Sequence, residues 1–477
     1  MAAVSGWSGD GEHAHPSLES RFTGRVEGDL PLKAFGTAGV RGVFNVGQTP
    51  EQIYTLALTS AFVFGKGRYG VGWDGRKSSA VLSRVAAAGI MAAGSETLLF
   101  GMVPTPVTAF GARERGCKVG LSVTASHNPP EYSGVKFFSG KGMELSKQDE
   151  ARIERAMTVG ARIESTHLGR MTDEDVLALY LDSMVARFEK IPDGLKIVVD
   201  CSNGPGAFVT PKALGALGHR VVPLNSQISW RFTARLPEPT AQNLSETASM
   251  VGALGADIGF AHDGDADRLV MINSAGRVVP DSLVSILAMR ALNRGHGVVV
   301  LSENSSSAVE EAAAELGFRV VRSRIGKTFA EIEKESAVFA TEPSKVVDPS
   351  WGMWEDGMYA AALIADAVSR DRGLLELINS EPSWHYRQVN LPFSVDHLRL
   401  VQRVEHEFGQ FKISEVRQLD GLKLVFKDGS WIMFRASGTE PKTRIYCESR
   451  DPVRLDELLE VGKSLLEELS IAGSKPR

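Results

Sequence analysis

Cysteine is scarce in this sequence: three residues in 477, Cys117, Cys201 and Cys447, far apart and without a CxxC pair. That argues against a disulfide framework and a cysteine zinc site, and it suits a reducing, cytoplasmic setting. Long apolar runs are also missing. The best, around Leu56 to Phe64, is short and interrupted by Thr and Ser, well below the ~20 residues of a membrane span. The N-terminus "MAAVSGWSGDGEHAHPSLES" has no basic head and no apolar segment, so it does not read as a signal peptide. Residues 1–28 are expected to be a mobile tail in which His13 and His15 are incidental. Excess positive charge is absent too. A net charge of -5 gives no global field for nucleic acid, but it leaves room for anionic small ligands held by local positive charge.

What is present is a recurring unit: an apolar run, a Gly-rich or polar turn, a helix-period segment and a second apolar run. It appears at Tyr69–Gly101, Leu195–Leu224 and Gly297–Ser323. In the last two copies the helix closes on Leu-Gly before a Val-Val strand, as a C-cap glycine dictates. These are βαβ units, which place parallel strands under helices. After about Pro382 the pattern changes. "HYRQVNLPF", "LKLVFKDGSWIMFRASG" and "TRIYCES" read as strands, with a hairpin signal at Lys427–Gly429. "VDHLRLVQRVEHEFG" and "DPVRLDELLEVGKSLLEEL" read as amphipathic helices, the second from an Asp cap with Pro just inside. The expected fold class is α/β: three related α/β domains with mixed, largely parallel sheets, plus a C-terminal α+β domain, around a central cleft. The expected boundaries are 29–165, 166–278, 279–382 and 383–477.

Four loops carry chemistry. In "FGTAGVRG" (35–42) glycines surround Thr37 and Arg41, so backbone N–H groups and a guanidinium can meet an anion; a tight turn with a surface arginine fits equally. In "TASHNPPEYSGVKFF" (124–138) Ser126 ends an apolar strand and two prolines forbid its continuation. There is no GxSxG elbow, and His127 follows the serine directly, so a hydrolase triad fits poorly; a capping serine is the plain alternative. In "HDGDADRLVMI" (262–272), Asp263, Asp265 and Asp267 alternate with Gly264 and Ala266. An extended backbone would put all three carboxylates on one side. At an effective dielectric of ~20, charges ~4 Å apart repel by about 4 kcal/mol per pair, a cost that a divalent cation removes. Counted from Asp263, an EF-hand would need Gly and Glu where Arg268 and Ser274 stand. Three hard oxygen ligands with open positions suit Mg²⁺ beside a phosphate, and Arg268 can hold the same phosphate. In "RASGTEPKTR" (435–444), Ser437, Gly438 and Thr439 lie between Arg435 and Lys442. They suggest a phosphate cradle without the P-loop pattern; a polar turn is the alternative. A serine, an aspartate trio and a separate cradle together describe phosphoryl transfer.

These four motifs, in this order, resemble the α-D-phosphohexomutase superfamily from about Phe35 to the C-terminus; "VGWDGRKSS" and "VPTP" match it as well. The resemblance implies that Ser126 is phosphorylated in the active enzyme, with Mg²⁺ bridging the Ser126 phosphate and Asp263, Asp265 and Asp267. It implies that Arg435, Ser437, Gly438 and Thr439 grip the non-reacting phosphate, and that Arg41, Lys136 and His127 lie among the proton-transfer and phosphate-contacting groups. The implied activity moves a phosphoryl group between the 1 and 6 positions of a hexose or hexosamine phosphate through a sugar 1,6-bisphosphate, with glucosamine phosphate favoured. Phosphomannomutase or phosphoglucomutase specificity, and more remotely a Mg²⁺-dependent sugar phosphatase, are the alternatives. The implied partner is a small phosphosugar, with neither nucleic acid nor membrane, on a monomer or homodimer. The chain departs from the family's Gly-Glu-x-Ser-Gly-His sugar loop: it reads "TEPSKVV", keeping Glu342 and Ser344 but replacing Gly-His by Lys345 and Val346. Trp351 and Trp354 read as core packing.

Overall fold

The computed structural model describes residues 34–36, 39–158, 167–292, 295–436 and 442–473. The first domain carries a six-stranded sheet: β1 (Val40–Val43), β2 (Arg68–Trp73), β3 (Glu96–Met102), β4 (Val119–Val123), β5 (Tyr132–Ser139) and β6 (Met171–Asp173), in the order β1-β5-β4-β2-β3-β6. The second holds β7 (Lys196–Asp200), β8 (Arg220–Leu224), β9 (Ile258–Ala261) and β10 (Val270–Asn273), ordered β10-β9-β7-β8. The third holds β11 (Gly297–Ser302), β12 (Phe318–Ser323), β13 (Phe339–Glu342) and β14 (Lys345–Val347), ordered β12-β11-β13-β14. The fourth is fully antiparallel: β15 (His385–Leu391), β16 (Ile413–Arg417), β17 (Leu422–Phe426), β18 (Trp431–Ala436) and β19 (Thr443–Ser449), ordered β15-β19-β18-β17-β16.

One four-strand unit is built three times. Its first strand lies between its second and third, parallel to both, and its fourth runs antiparallel to the third. The units are β2–β5, β7–β10 and β11–β14. The central strands are apolar without alternation because helices cover both faces: Ile197, Val198 and Val199 are all buried. The helices end as the sequence predicts. Those at Thr210–Ala216 and Ser307–Glu315 are followed by Gly218 and Gly317 with positive φ, the left-handed turn that glycine adopts at least cost.

A continuous apolar core runs through the first three domains. At their junction Phe110, Tyr180, Trp351, Trp354 and Tyr359 pack ring on ring. The carboxylate of Asp356 accepts from Tyr180 Oη (2.6 Å), Trp351 Nε1 (2.8 Å) and Trp354 Nε1 (3.1 Å). Both tryptophans are therefore structural. The fourth domain has a core of its own, around Leu400, Phe408, Ile432, Phe434 and Leu458.

Candidate active site

In each repeated unit the turn from the third strand to the antiparallel fourth carries the candidate chemistry: 124–131 after β4, 262–269 after β9, and 343–344 after β13. Each turn contains one non-glycine residue in the left-handed region, Ser126 (φ +51°), Ala266 (φ +60°) and Ser344 (φ +64°). Such residues persist only where the surroundings hold them. The serine turn meets the aspartate turn through Ser126 Oγ and Asp263, and the aspartate turn meets the third through Leu269 N and the Ser344 carbonyl.

Ser126 is buried, and its Oγ donates to Asp263 Oδ2 at 2.8 Å. It also lies 3.3 Å from His127 Nδ1. Ligand oxygens of Asp263, Asp265 and Asp267 fall within 4.8 Å of one another. They converge, but not on an extended backbone as the alternation suggested. The segment is a turn with Ala266 left-handed, and the turn gathers the carboxylates. Lys136, on β5, donates from Nζ to Asp265 Oδ2 (2.9 Å) and Asp267 Oδ2 (2.5 Å). Thr105 donates its hydroxyl to Asp265 Oδ2 at 2.7 Å, and its backbone N–H to the Asp265 carbonyl.

The charges sort themselves accordingly. Burial and the two neighbouring carboxylates push Asp263 well above the usual range. Burial acts the same way on Asp265, but Lys136 overrides it and holds that carboxyl low. Burial works against the Lys136 ammonium, yet Asp265 and Asp267 keep it firmly protonated. His127 is driven down by burial and by Arg268 and Arg41, so its imidazole is neutral. Arg268 accordingly donates to His127 Nδ1 at 2.9 Å, and its backbone N–H reaches Asp263 Oδ1 at 3.3 Å. Arg41 stands behind, donating to Asn128 Oδ1 at 3.3 Å.

Asp265 Oδ1 and Asp267 Oδ1 are buried and accept no hydrogen bond among the described residues. Their Oδ2 atoms face protein donors, and their Oδ1 atoms face none. Buried orphan carboxylate oxygens are costly, and two of them in a cluster of three carboxylates form a donor set that a hard divalent cation takes. The cluster fits the metal.

The other expected site residues lie on adjoining turns. Ser344 is tied to the aspartate turn, its carbonyl accepting from Leu269 N at 2.8 Å, and its hydroxyl donates to Asp281 Oδ1 at 2.9 Å. Lys345 is half-buried in an ion pair with Glu355, whose carboxyl is pushed up to about 7 by desolvation. Glu342 Oε1 accepts from Gly326 N (2.9 Å) and Thr328 Oγ1 (2.5 Å). Arg435, at the end of β18, is apart from this cluster. It pairs with Asp420 at 2.9 Å in a cavity of about 370 Å³ that Arg324, His397 and Thr443 also line. Thr37, Ser437, Gly438, Thr439 and the 1–28 tail lie outside the described residues.

Sequence reasoning missed Thr105, Asp281, Glu355 and the arginine that grips the serine turn, Arg76. "VPTP" and "VGWDGRKSS" were visible as motifs containing Thr105 and Arg76, but no spacing rule gave those residues a task. Asp281 and Glu355 have no local signal.

Four descriptions of one family match along the chain in order: alpha/beta/alpha domain I over residues 32–162, domain II over 178–276, domain III over 279–383 and the C-terminal domain over 393–461. The chain belongs to the phosphoglucomutase/phosphomannomutase family. It is thereby an enzyme of the phosphosugar mutase kind, an isomerase, and the resemblance carried by the four motifs is borne out. A phosphopentomutase of Thermococcus kodakarensis is 32% identical over 442 residues, covering 91% of this chain and 97% of that protein. A protein of Thermococcus gammatolerans named probable phosphoglucosamine mutase is 32% identical over 443 residues, covering 91% and 98%. Among solved structures, a phosphoglucomutase/phosphomannomutase family protein of Burkholderia thailandensis superposes with a TM-score of 0.80 at 25% identity, over 92% of this chain and 97% of that one.

Proposed function

We propose that this chain moves a phosphoryl group between the 1 and 6 positions of a hexose or hexosamine phosphate, with glucosamine phosphate as the favoured substrate. The observation that carries the reading is the contact of Ser126 Oγ with Asp263 inside a three-carboxylate cluster that has two orphaned oxygens. Ser126 is the phosphoryl carrier, and Asp263, Asp265 and Asp267 hold Mg²⁺ beside it. When bound, Mg²⁺ supplies charge neutralisation for the transferring group.

The chain's own residues do the rest. Lys136 fixes two of the carboxylates while keeping its own charge near the transferring oxygens. Neutral His127, held by Arg268 and 3.3 Å from Ser126 Oγ, lies beside the transferring group, and Arg268 and Arg41 orient the phosphate. Glu342, Ser344 and Lys345 address the sugar. Arg435 with Ser437, Gly438 and Thr439 grips the phosphate that is not reacting. Phosphoserine gives its phosphoryl group to the free hydroxyl, a sugar 1,6-bisphosphate turns over in the site, and its other phosphate returns to Ser126. Rate comes from positioning and electrostatics. The working units on this reading are 29–165, to whose sheet β6 (Met171–Asp173) from the next unit adds an edge strand, 166–278, 279–382 and 383–477, in a cytoplasmic monomer or homodimer. Among the described residues no helix is long and apolar enough to cross a membrane.

A second reading, supported by the phosphopentomutase relative, puts a pentose phosphate in the same site. The test offers glucosamine, glucose, mannose and ribose 1-phosphates, with Mg²⁺ and a trace of the corresponding bisphosphate, to the wild type and Ser126→Ala. Conversion to the terminal phosphate that vanishes in the variant supports the mutase, and the relative rates name the sugar. Free phosphate without isomerisation would mean a phosphatase.

A further inference from the structure

Two buried arginines do not touch the reacting atoms, and each grips the backbone of a turn that carries them. Arg76 donates from Nε to Asp74 Oδ2 at 3.0 Å. Its other nitrogens reach three carbonyls of the serine turn, Ser126 (2.7 Å), Asn128 (2.6 Å) and Pro129 (2.5 Å), and that of Tyr132 (3.3 Å), where β5 begins. Asp74 also accepts the backbone N–H of Arg76 and the hydroxyls of Ser79 and Thr124. Thr124 Oγ1 in turn accepts the N–H of Ser126 at 2.8 Å. Both the N–H and the C=O of Ser126 are therefore fixed by one network.

The second domain repeats the device. Arg235 donates from Nε to Asp200 Oδ2 at 2.8 Å and from a terminal nitrogen to the His262 carbonyl at 2.6 Å, the peptide that leads into Asp263. Asp200 accepts a backbone N–H two residues on, from Ser202, as Asp74 does from Arg76; it also accepts a threonine hydroxyl, from Thr247. Asp74 follows directly on β2 and Asp200 ends β7, each the first strand of its unit. In the third unit, Ser302 ends β11 and its side chain bonds Asn304 and Ser305; the buried acid that follows, Glu303, lies 3.9 Å from Arg417 and Lys423 of the fourth domain, and among the described residues neither of these is bonded to a carbonyl of the third turn. That unit's turn carries neither the serine nor the metal ligands.

We propose that this Asp–Arg–Thr clamp, used twice, sets the register between the phosphoserine turn and the metal turn, which makes Arg76 and Arg235 positioning residues for phosphoryl transfer. The inference rests on the functional reading above and names residues within it. With side chains 0% and 5% exposed, respectively, neither arginine can be replaced by water. A planar fork serves several fixed carbonyls in a way that a lysine cannot. Misplacement by ~1 Å is enough to cost about 10²-fold in rate.

Arg76→Lys and Arg235→Lys test it, with all activities expressed per folded molecule. Phosphorylation of Ser126 by glucose 1,6-bisphosphate is followed by mass spectrometry, and Mg²⁺ affinity of the unphosphorylated enzyme by calorimetry. Arg76→Lys should slow Ser126 phosphorylation about 10²-fold and lower kcat with KM nearly unchanged, while leaving the Mg²⁺ Kd within about twofold. Arg235→Lys should raise the Mg²⁺ Kd about tenfold or more. A merely structural role moves neither quantity per folded molecule, or both equally in the two variants, and either result overturns the proposal. If the lysine variants do not fold, Ser79→Ala and Thr247→Val each remove one hydrogen bond from the acid, and the same split must appear at a few-fold size. If the wild type itself isomerises nothing, the functional reading fails, while the Mg²⁺ measurement on the Arg235 variant still decides the clamp on the metal turn.

Discussion

Replacing Lys136 by methionine keeps the volume of a buried side chain and removes its charge. The ammonium contacts Asp265 at 2.9 Å and Asp267 at 2.5 Å with essentially no solvent exposure. At an effective dielectric of ~20 each contact is about 6 kcal/mol of attraction before desolvation. Desolvation offsets much of that, but removing one partner of a buried ion pair still costs roughly 3–5 kcal/mol, because the other charges stay behind. Here two or three carboxylates remain, each repelling the others. The first three domains share one core, a unit larger than the roughly 150–250 residues for which 1 kcal/mol is worth about 2–4 °C, so the metal-free transition should fall by roughly 3–10 °C. Mg²⁺ should then recover more in the variant than in the wild type, since the cluster has lost the one side-chain cation that contacts two of its carboxylates directly; saturation at about 100 times Kd is worth about 2.7 kcal/mol. The assay is a thermal melt of both proteins in EDTA and in Mg²⁺. A metal-free variant melting within about 2 °C of the wild type, or an equal Mg²⁺ shift in both proteins, would refute the account of the site as a charge cluster balanced by Lys136.

Asp356→Ala removes the acceptor shared by Tyr180, Trp351 and Trp354 and should destabilise the protein by about 3–5 kcal/mol, on the scale of a broken buried polar network. Its Mg²⁺ Kd should stay unchanged, which calorimetry on the folded variant checks. Thr105→Val deletes the hydroxyl bonded to Asp265. Losing a hydrogen bond to a charged group costs about 1.5–3 kcal/mol, so melts in EDTA should show a loss of that order, largely restored by Mg²⁺. Lys423, buried between the third and fourth domains beside Arg322, Glu303, Arg417 and Glu448, is lowered by burial to about 7. Between pH 7 and the ordinary lysine range the unfolded chain then binds more protons than the folded one, so stability should rise with pH in that window. Denaturant titrations of the wild type should show this rise, and those of Lys423→Met should show it flattened; identical slopes would contradict the assignment.

Much of the architecture was legible because it is written in period and punctuation. The Leu-Gly stops before β8 and β12, the Pro-capped last helix and the Lys427–Gly429 hairpin all depend on local backbone chemistry, and each stands where the pattern puts it. The convergence of Asp263, Asp265 and Asp267 was legible for a chemical reason, charge repulsion, while the geometry behind it was misread: alternation suggested a strand, and a left-handed Ala266 makes a turn. Arg235 and Asp281 were beyond reach because their tasks depend on which distant backbone they meet. Arg235 lies 27 residues from the carbonyl it grips, and no periodicity encodes that. Trp351 and Trp354 were legible in kind, as core, but their shared acceptor, Asp356, appears only in three dimensions.

The three turns at matching places in the repeated unit bear on how such an enzyme can change over time. Ser126, the three aspartates and Ser344 each occupy a copy of one slot, bounded by the same strand before it and the same antiparallel strand after it. The turn after β13 and the start of β14 can be rewritten, as Lys345 and Val346 already are relative to the family pattern, in a segment that holds neither the serine nor the aspartates. On the proposed function, sugar preference is then separable from phosphoryl chemistry at the level of inheritance: a lineage could explore new sugars by editing two or three codons around one turn while the other two stay as they are.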